Sequence, residues 1–143
     1  MSTALIQDSK TKLIVASVYF NLMNSRKEKR SQRSDLQLLQ QLIDEFGQEK
    51  LLILTDSNAR HNSWHDCMCN GRGRELERFI AANNLAVHNK KEFGRTFIKR
   101  MKDEKVRRSW IDLTISNNQL ANAIENWRMR RNAIATQHQL IEF

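Results

Sequence analysis

Polar side chains follow an apolar, strand-like stretch of this sequence, at a position where a sheet could present groups that do chemistry. The stretch LLILT leads directly into Asp56 and Asn58. In extended chain two such residues point to the same side, so Asp56 could take a proton while Asn58 orients a substrate group. Tight turns favour the same residue types, and this window alone leaves both interpretations open.

Two further polar residues lie in or beside strand-like segments. Asp112 interrupts SWIDLTIS, and a carboxylate in a half-buried strand either faces solvent or requires a partner. It is a candidate metal ligand or proton-transfer group. His138 in TQHQLIEF precedes another apolar segment, where it is either a functional group or a satisfied polar residue.

The elements that must position these residues alternate between strand and helix in the first half. In order, they are a buried strand at 13–20, a basic loop at 21–33, a helix at 34–46, a buried strand at 50–55 and an amphipathic helix at 73–84. Ser34 is the expected N-cap of the first helix, and Gly47 its left-handed stop. This order is typical of an α/β arrangement.

The second half is predicted to be mainly β. Short strand-like segments separated by polar turns follow Asn84, namely LAVH, RTFIK, VRRSWIDLTIS, IENWRM and QLIEF. The basic stretch at 99–108 is predicted to form the tip of a hairpin.

Composition restricts the class of protein and its partners. A chain of 143 residues with 40% hydrophobic content suits one domain, and a net charge of +8 favours a polyanionic partner, nucleic acid first. The longest apolar run, at 13–20, is too short to cross a membrane. Cys67 and Cys69 do not have the spacing of an ordinary structural disulfide, which predicts a reducing compartment, nuclear or cytoplasmic.

Taken together, the motifs resemble the endonuclease domain of non-LTR retrotransposons, in the endonuclease/exonuclease/phosphatase superfamily that includes the apurinic endonucleases. The resemblance covers nearly the whole chain in the family's order. The matching stretches are SVYF at 17–20, LTDSNARHNSW at 54–64, NGRGRELERFIAANNLAVHN at 70–89, TF at 96–97, SWIDLTI at 109–115, WRM at 127–129 and TQHQLIEF at 136–143.

The resemblance implies a role for each candidate residue. Asp56 would activate the attacking water, Asn58 would hold the scissile phosphate, and His138 would stabilise the phosphate's developing charge. Tyr19 would contact a phosphate, and Asp112 would orient the catalytic groups. The implied cofactor is Mg²⁺, or Mn²⁺, and the implied partner is DNA, with no small-molecule cofactor.

The fold implied by the resemblance is α/β: a β-sandwich of the endonuclease/exonuclease/phosphatase type, flanked by helices and missing its first strands. Residues 1–143 would then form one partial domain. The family's first strands carry an asparagine and a metal-binding glutamate, and this sequence begins after them. Gln137 stands where the family has an aspartate that pairs with its histidine or metal site. Both departures predict weakened metal binding.

Two groups of residues admit other interpretations. His61, His65, Cys67 and Cys69 are potential zinc ligands, although their spacing fits no common zinc pattern, and the alternative is a loop in which Trp64 packs on the domain. The basic clusters at 26–30 and 128–132 either steer DNA or form solvated loops.

The function predicted from these observations is metal-dependent nicking of DNA to prime retrotransposition. A catalytically silent nucleic-acid-binding remnant is the alternative, which the missing glutamate, Gln137 and the positive charge favour. A third possibility is a fragment that cannot fold alone, because removing strands exposes a sheet edge.

Overall fold

The structure is a computed structural model that describes residues 2–7, 11–20, 26–130 and 136–143, with side chains described outside 26–34. The strands are β1 Ser2–Gln7, β2 Lys12–Tyr19, β3 Lys50–Asp56, β4 Ala86–Val87, β5 Phe97–Arg100, β6 Val106–Ser109, β7 Asp112–Ser116, β8 Arg128–Arg130 and β9 Leu140–Glu142. The helices are α1 Arg26–Phe46, α2 Gly71–Ala82 and the short α3 Asn118–Ala121.

Five strands form the central sheet in the order β1-β2-β3-β7-β4. β2 and β3 are parallel, so the chain must cross over between them, and α1 makes this connection. The other pairs are antiparallel. Two hairpins, β5–β6 and β8–β9, stand outside this sheet. The predicted α/β organisation is therefore confirmed.

The two faces of the central sheet differ in what covers them. On one face, alternate residues of β2 and β3 join the hydrophobic core with apolar residues of both long helices; these core residues include Ile14, Ala16, Val18, Leu51, Ile53, Leu39, Leu42, Leu76 and Ile80. The opposite face carries Tyr19, Asp56 and Asp112, which the strand register places side by side. Because successive side chains alternate, burying the first set presents the second set on the other face.

The first helix begins earlier than predicted. It starts at Arg26, so the part of the predicted basic loop that the structure describes, 26–33, is helical and Ser34 lies inside the helix. Lys, Arg, Glu and Gln are strong helix formers. The first turns of this helix are polar, however, and so lack the periodic apolar residues from which a helix is predicted. Gly47 does not adopt the left-handed conformation. Glycine suits this position for a different reason, since a Cβ would lie 2.5 Å from the carbonyl oxygen of Ile43.

Several elements of the β-rich part also differ from the prediction. β1 was not predicted, because all of its side chains are exposed and show no burial pattern. The segment predicted as one strand at 106–116 divides at Trp110 into β6 and β7, which belong to different sheets. The hairpin predicted at 99–108 is confirmed: its tip closes through the amide of Met101, which donates to the carbonyl of Lys105.

α2 begins in close contact with the loop that follows β3. The side chain of Asn70 caps the helix by accepting a hydrogen bond from the amide of Gly73 at 2.7 Å, and it accepts a second from the amide of Arg60. The backbone of Gly73 lies directly against that of Arg60. Among the described residues, no helix has both the length and the apolar character needed to span a membrane.

We predict that Gly73→Ala destabilises the protein, because the added Cβ would overlap the carbonyl oxygen of Arg60. The backbone of Arg60 cannot move away from the added Cβ as easily as a flexible side chain could. We therefore expect the free energy of unfolding to fall by about 2 kcal/mol or more. Gly71→Ala is the matched control, since the nearest neighbour of its added Cβ is 3.9 Å away. Urea unfolding measures both variants, and an equal effect at the two glycines would contradict the prediction.

Candidate active site

Three of the residues singled out in the sequence meet at one end of the central sheet. Asp56 ends β3 and Asp112 begins β7, and the two are direct partners in the antiparallel register. The Nδ1 atom of His138 lies 2.9 Å from Oδ1 of Asp112. One ligand atom from each of the three residues lies within 4.8 Å of the others, and no other group of three acidic, histidine or cysteine residues in the described part of the chain is so close.

His138 reaches this position through the backbone of the β5 region. The amide of Ile98 donates to the carbonyl of Gln137, and the amide of Gln139 donates to the carbonyl of Thr96, both at 2.8 Å. The ring of Phe97 contacts the imidazole edge-on, with centroids 4.9 Å apart. The histidine ring is therefore fixed on one side by an aromatic ring and on the other by a carboxylate.

Asp112 is held by residues to which the sequence assigned no role. The buried hydroxyl of Thr96 accepts hydrogen bonds from the amides of Ile111 and Asp112. The side chain of Asn89, also buried, donates to the carbonyl of Asp112 and accepts from the amide of Thr114. These groups place the beginning of β7 in one position. Buried amides and hydroxyls of this kind leave no periodic signal in a sequence.

The turn after Asp56 differs from the extended geometry that the sequence predicted. Asn58 has φ 48°, a left-handed conformation that asparagine tolerates well. Its amide nitrogen donates to the carbonyl of Phe20 at 2.8 Å, and its backbone N–H donates to the carboxylate of Asp56. Asp56 and Asn58 therefore line different cavities rather than pointing together from an extended strand.

Ser57 locks the same turn from the opposite side. Its hydroxyl donates to the carbonyl of Ile111 at 2.7 Å and accepts from the amide of Ala59, and the residue is fully buried. This short polar side chain joins the end of β3 to the residue before β7 through its hydrogen bonds.

The cavity at the Asp–His cluster has a volume of about 390 Å³. Tyr19, Asp56, Asp112 and His138 line it together with neutral polar and apolar residues, and the apolar ones include Leu54, Leu113, Leu140, Ile141 and Phe143. Tyr19 is 56% exposed and is the register partner of Asp56. We call Tyr19, Asp56, Asp112 and His138 the catalytic rim.

A second cavity, of about 700 Å³, lies between the loop after β3 and the β5–β6 hairpin. Its charged lining residues are all cationic, and we call them the basic groove: Arg60, Lys99, Arg107 and Arg108. Arg60 is bound to the buried carboxylate of Asp66 at 2.8 Å. Asn58 also lines this cavity, so the two cavities adjoin the same turn.

Burial dominates the electrostatics of the two carboxylates. It raises the pKa of Asp112 above its usual range, against the opposing influence of His138. Burial likewise raises the pKa of Asp56, again opposed by His138. Within the described residues, Oδ1 of Asp56 and Oδ2 of Asp112 are buried without a hydrogen-bond partner. Buried carboxylate oxygens without partners are costly, and a cation would satisfy them.

Other candidates from the sequence lie apart from this cluster. The side chain of Gln137 is exposed. The hydrogen-bond partner of the His138 side chain is Asp112, not the residue at position 137. Cys67 and Cys69 are free and exposed and form no metal-ligand group with His61 and His65 in the part of the chain that the structure describes.

Trp64 is fully buried, as the loop interpretation of that segment predicted. The side chains of the basic cluster at 26–30 lie outside the described residues, as do 131 and 132 of the second cluster.

Comparisons with known proteins identify the family to which the chain belongs. The family model described as "Endonuclease-reverse transcriptase" matches residues 13–142, and the chain belongs to this family. No curated protein matches the sequence. The resemblance to retrotransposon endonucleases inferred from the motifs is thereby confirmed.

Among solved structures, the chain is similar to the endonuclease domain of TRAS1, a telomere-specific non-LTR retrotransposon, with a TM-score of 0.85 and 19% identity over 97% of this chain and 60% of that one. It is also similar to the 3'-5' exonuclease NExo from Neisseria meningitidis, with a TM-score of 0.66, 18% identity and coverage of 97% and 62%. A structure described as the 3' phosphatase NExo from Neisseria bound to a product DNA hairpin gives a TM-score of 0.68 at 18% identity, covering 97% and 62%. These similarities establish the fold, and the chain spans about three fifths of each structure's length.

We predict that Asp56→Asn makes the protein more stable at pH 8, in the presence of a chelator. The pKa of Asp56 is raised in the folded state by burial, so folding favours the protonated form. The carboxyl therefore contributes to stability at low pH, and this contribution is lost as the pH rises through its folded pKa. Asparagine removes the buried charge, so the variant should gain stability at pH 8 and none at pH 3.

Thermal unfolding at the two pH values tests this sign. Asp44→Asn, at an exposed position, is the control and should show no such difference. A variant at position 56 that is less stable than the wild type at pH 8 would refute the electrostatic account.

Proposed function

We propose that the chain hydrolyses phosphodiester bonds of DNA in a metal-dependent reaction, as the nicking endonuclease of a retrotransposon. The observation that carries this proposal is the cluster of Asp56, Asp112 and His138 at the catalytic rim, with two carboxylate oxygens left without partners. Membership of the endonuclease-reverse transcriptase family supports the same chemistry. A nuclear or cytoplasmic location belongs to the proposal, since DNA and reduced cysteines are found there.

The residues present fit a divalent cation. Asp56 and Asp112 would hold Mg²⁺ or Mn²⁺ through their buried oxygens, because hard cations favour carboxylates and retain bound waters. The bound ion would supply Lewis-acid polarisation of a phosphoryl oxygen.

The chain's own residues would carry the remaining steps. Asp56 would accept the proton of the attacking water. His138 has Nδ1 held by Asp112, and in the protonated imidazolium form its Nε2–H would donate to a phosphate oxygen. Tyr19, exposed beside Asp56, would contact a phosphate through its hydroxyl.

Asn58 lines the basic groove and lies two residues after Asp56, which lines the other cavity. Its amide is fixed by the carbonyl of Phe20, so it would orient the scissile phosphate without first losing rotational freedom. The basic groove beside it would neutralise phosphates of the flanking DNA. Binding in the groove would therefore deliver a neighbouring phosphate to the catalytic rim.

A nucleic-acid-binding protein without hydrolytic activity is the second candidate. The basic groove favours it, because the groove needs no metal and is complete in the described residues. Gln137, which replaces an acidic residue of the family, favours it as well. The two candidate functions share the same DNA-binding surface. They differ in whether the residues of the catalytic rim hydrolyse the bound DNA.

We predict that the wild-type protein nicks supercoiled plasmid in the presence of Mg²⁺, and that Asp56→Ala and His138→Ala each lower the rate at least ~100-fold. Asp44→Ala and His61→Ala are matched controls away from the rim and should keep wild-type rates. Agarose gel electrophoresis measures the nicked fraction, with a chelator as the metal-free reference. Nicking by the rim variants at the wild-type rate would overturn the assignment, and a wild-type protein that binds DNA but never nicks would leave the second candidate.

We predict that Arg107→Ala weakens DNA binding and flattens its dependence on salt. For each phosphate that the variant no longer neutralises, the slope of log K against log salt should fall by about 0.9. Lys91→Ala removes an exposed cation outside the groove and should leave the slope unchanged. Fluorescence anisotropy with a labelled duplex across a salt series makes the measurement. Equal slopes for wild type and Arg107→Ala would show that this residue of the groove does not contact phosphate.

A further inference from the structure

Arg72, in the first turn of α2, is a buried cation with no role in the site described so far. It is 3% exposed. A buried charge is costly unless hydrogen bonds and opposite charge compensate it, and the N-terminal turn of a helix is the end where a cation is least favoured. No acidic residue stands in that turn to offset it. The residue must therefore be stabilised by what its guanidinium contacts.

The guanidinium contacts the ends of the two strands that carry Tyr19 and Asp56. Its Nη1 atom donates to the carbonyl of Phe20, the residue after β2, at 3.1 Å, and lies 3.4 Å from the carbonyl of Ser57, the residue after β3. The carbonyl of Phe20 also accepts the amide of Asn58. One planar group thus joins the chain directly after Tyr19 to the chain directly after Asp56.

The surrounding hydrogen bonds make this junction the point where three elements meet. The amide of Phe20 donates to the carbonyl of Asp56, and the amide of Ser57 donates to the carbonyl of Ile111 next to β7. Asn70, two residues before Arg72, donates to the carbonyl of Asn58. Replacing Arg72 by an uncharged residue would therefore remove the link between α2 and the carbonyls of Phe20 and Ser57.

We infer that Arg72 is a positioning residue, which fixes Tyr19, Asp56 and Asn58 relative to one another by clamping the carbonyls of Phe20 and Ser57. It touches neither substrate nor metal in this role. Its effect on turnover rests on the proposed function, whereas its effect on the local backbone does not. The charge of Arg72 also opposes the rise that burial causes in the pKa of Asp56, which is consistent with its closeness to the rim.

Native-state hydrogen exchange of Arg72→Met tests the local effect. We expect the amides of Phe20 and Ser57 to lose protection at least ~10-fold, while mid-strand amides of β3 keep theirs. Arg72→Lys should restore part of the protection, since an ammonium can reach a carbonyl but lacks the guanidinium's fork. Ile80→Val, a core substitution in the same helix, is the control and should change rim and mid-strand amides alike.

Nicking kinetics test the consequence. Arg72→Met should lower kcat at least ~10-fold with an unchanged KM for DNA, because the basic groove is intact while the reacting groups are misplaced. Uniform loss of protection across β3, or no loss at all, would overturn the inference, as would a change confined to KM. If the Met variant does not fold, the Lys variant decides by the same comparison of amides. If the wild type does not nick, the proposed function fails while hydrogen exchange still decides the role of Arg72.

Discussion

The structure of the site depends on two carboxylates held directly opposite each other on neighbouring strands. Asp56 and Asp112 are register partners in the β3–β7 pair, a placement in which like charges normally repel. Burial adds to the cost, and the charge of Asp56 contributes to the raised pKa of Asp112, after burial as the main cause. A sheet selected for stability alone would not place two aspartates there. The hydrogen bonds around them are best understood as the means of keeping this arrangement.

Those hydrogen bonds act mainly on the backbone rather than on the carboxylates. Thr96 and Asn89 hold the beginning of β7, while Ser57 and Arg72 hold the end of β3. Fixing the backbone leaves carboxylate oxygens free for a ligand, which direct hydrogen bonds to them would not. The exceptions are the backbone N–H of Asn58, which donates to Asp56, and the side chains of His138 and Thr96, which hydrogen-bond to Asp112. The site is therefore rigid in its support and unsatisfied at its centre, which suits binding of a cation.

Much of this arrangement follows from the sequence, and the failures have physical causes. The β-branched and aromatic residues of β2 and the apolar stripe of α2 predicted those elements, because both elements contribute to the buried core. The basic start of α1 and the exposed β1 carry no such pattern and were missed. Asp56, Asp112 and His138 were singled out because polar residues interrupt apolar strands. Arg72 was not singled out, because an arginine in a polar helix turn has the sequence pattern of a solvated residue. Its burial depends on contacts with residues that lie 15 and 52 positions earlier in the sequence.

The distribution of charge connects the two cavities. In a protein with a net charge of +8, the field of the many cations disfavours a divalent ion at the rim, although Asp56 and Asp112 attract it locally. DNA in the basic groove would neutralise Lys99, Arg107 and Arg108 and so remove part of that opposing field. Linkage requires the converse to hold equally, so a cation at the rim would strengthen binding of DNA by the same factor. Under the proposed function, each ligand therefore favours the other, and the turn at Asn58 is where their sites adjoin.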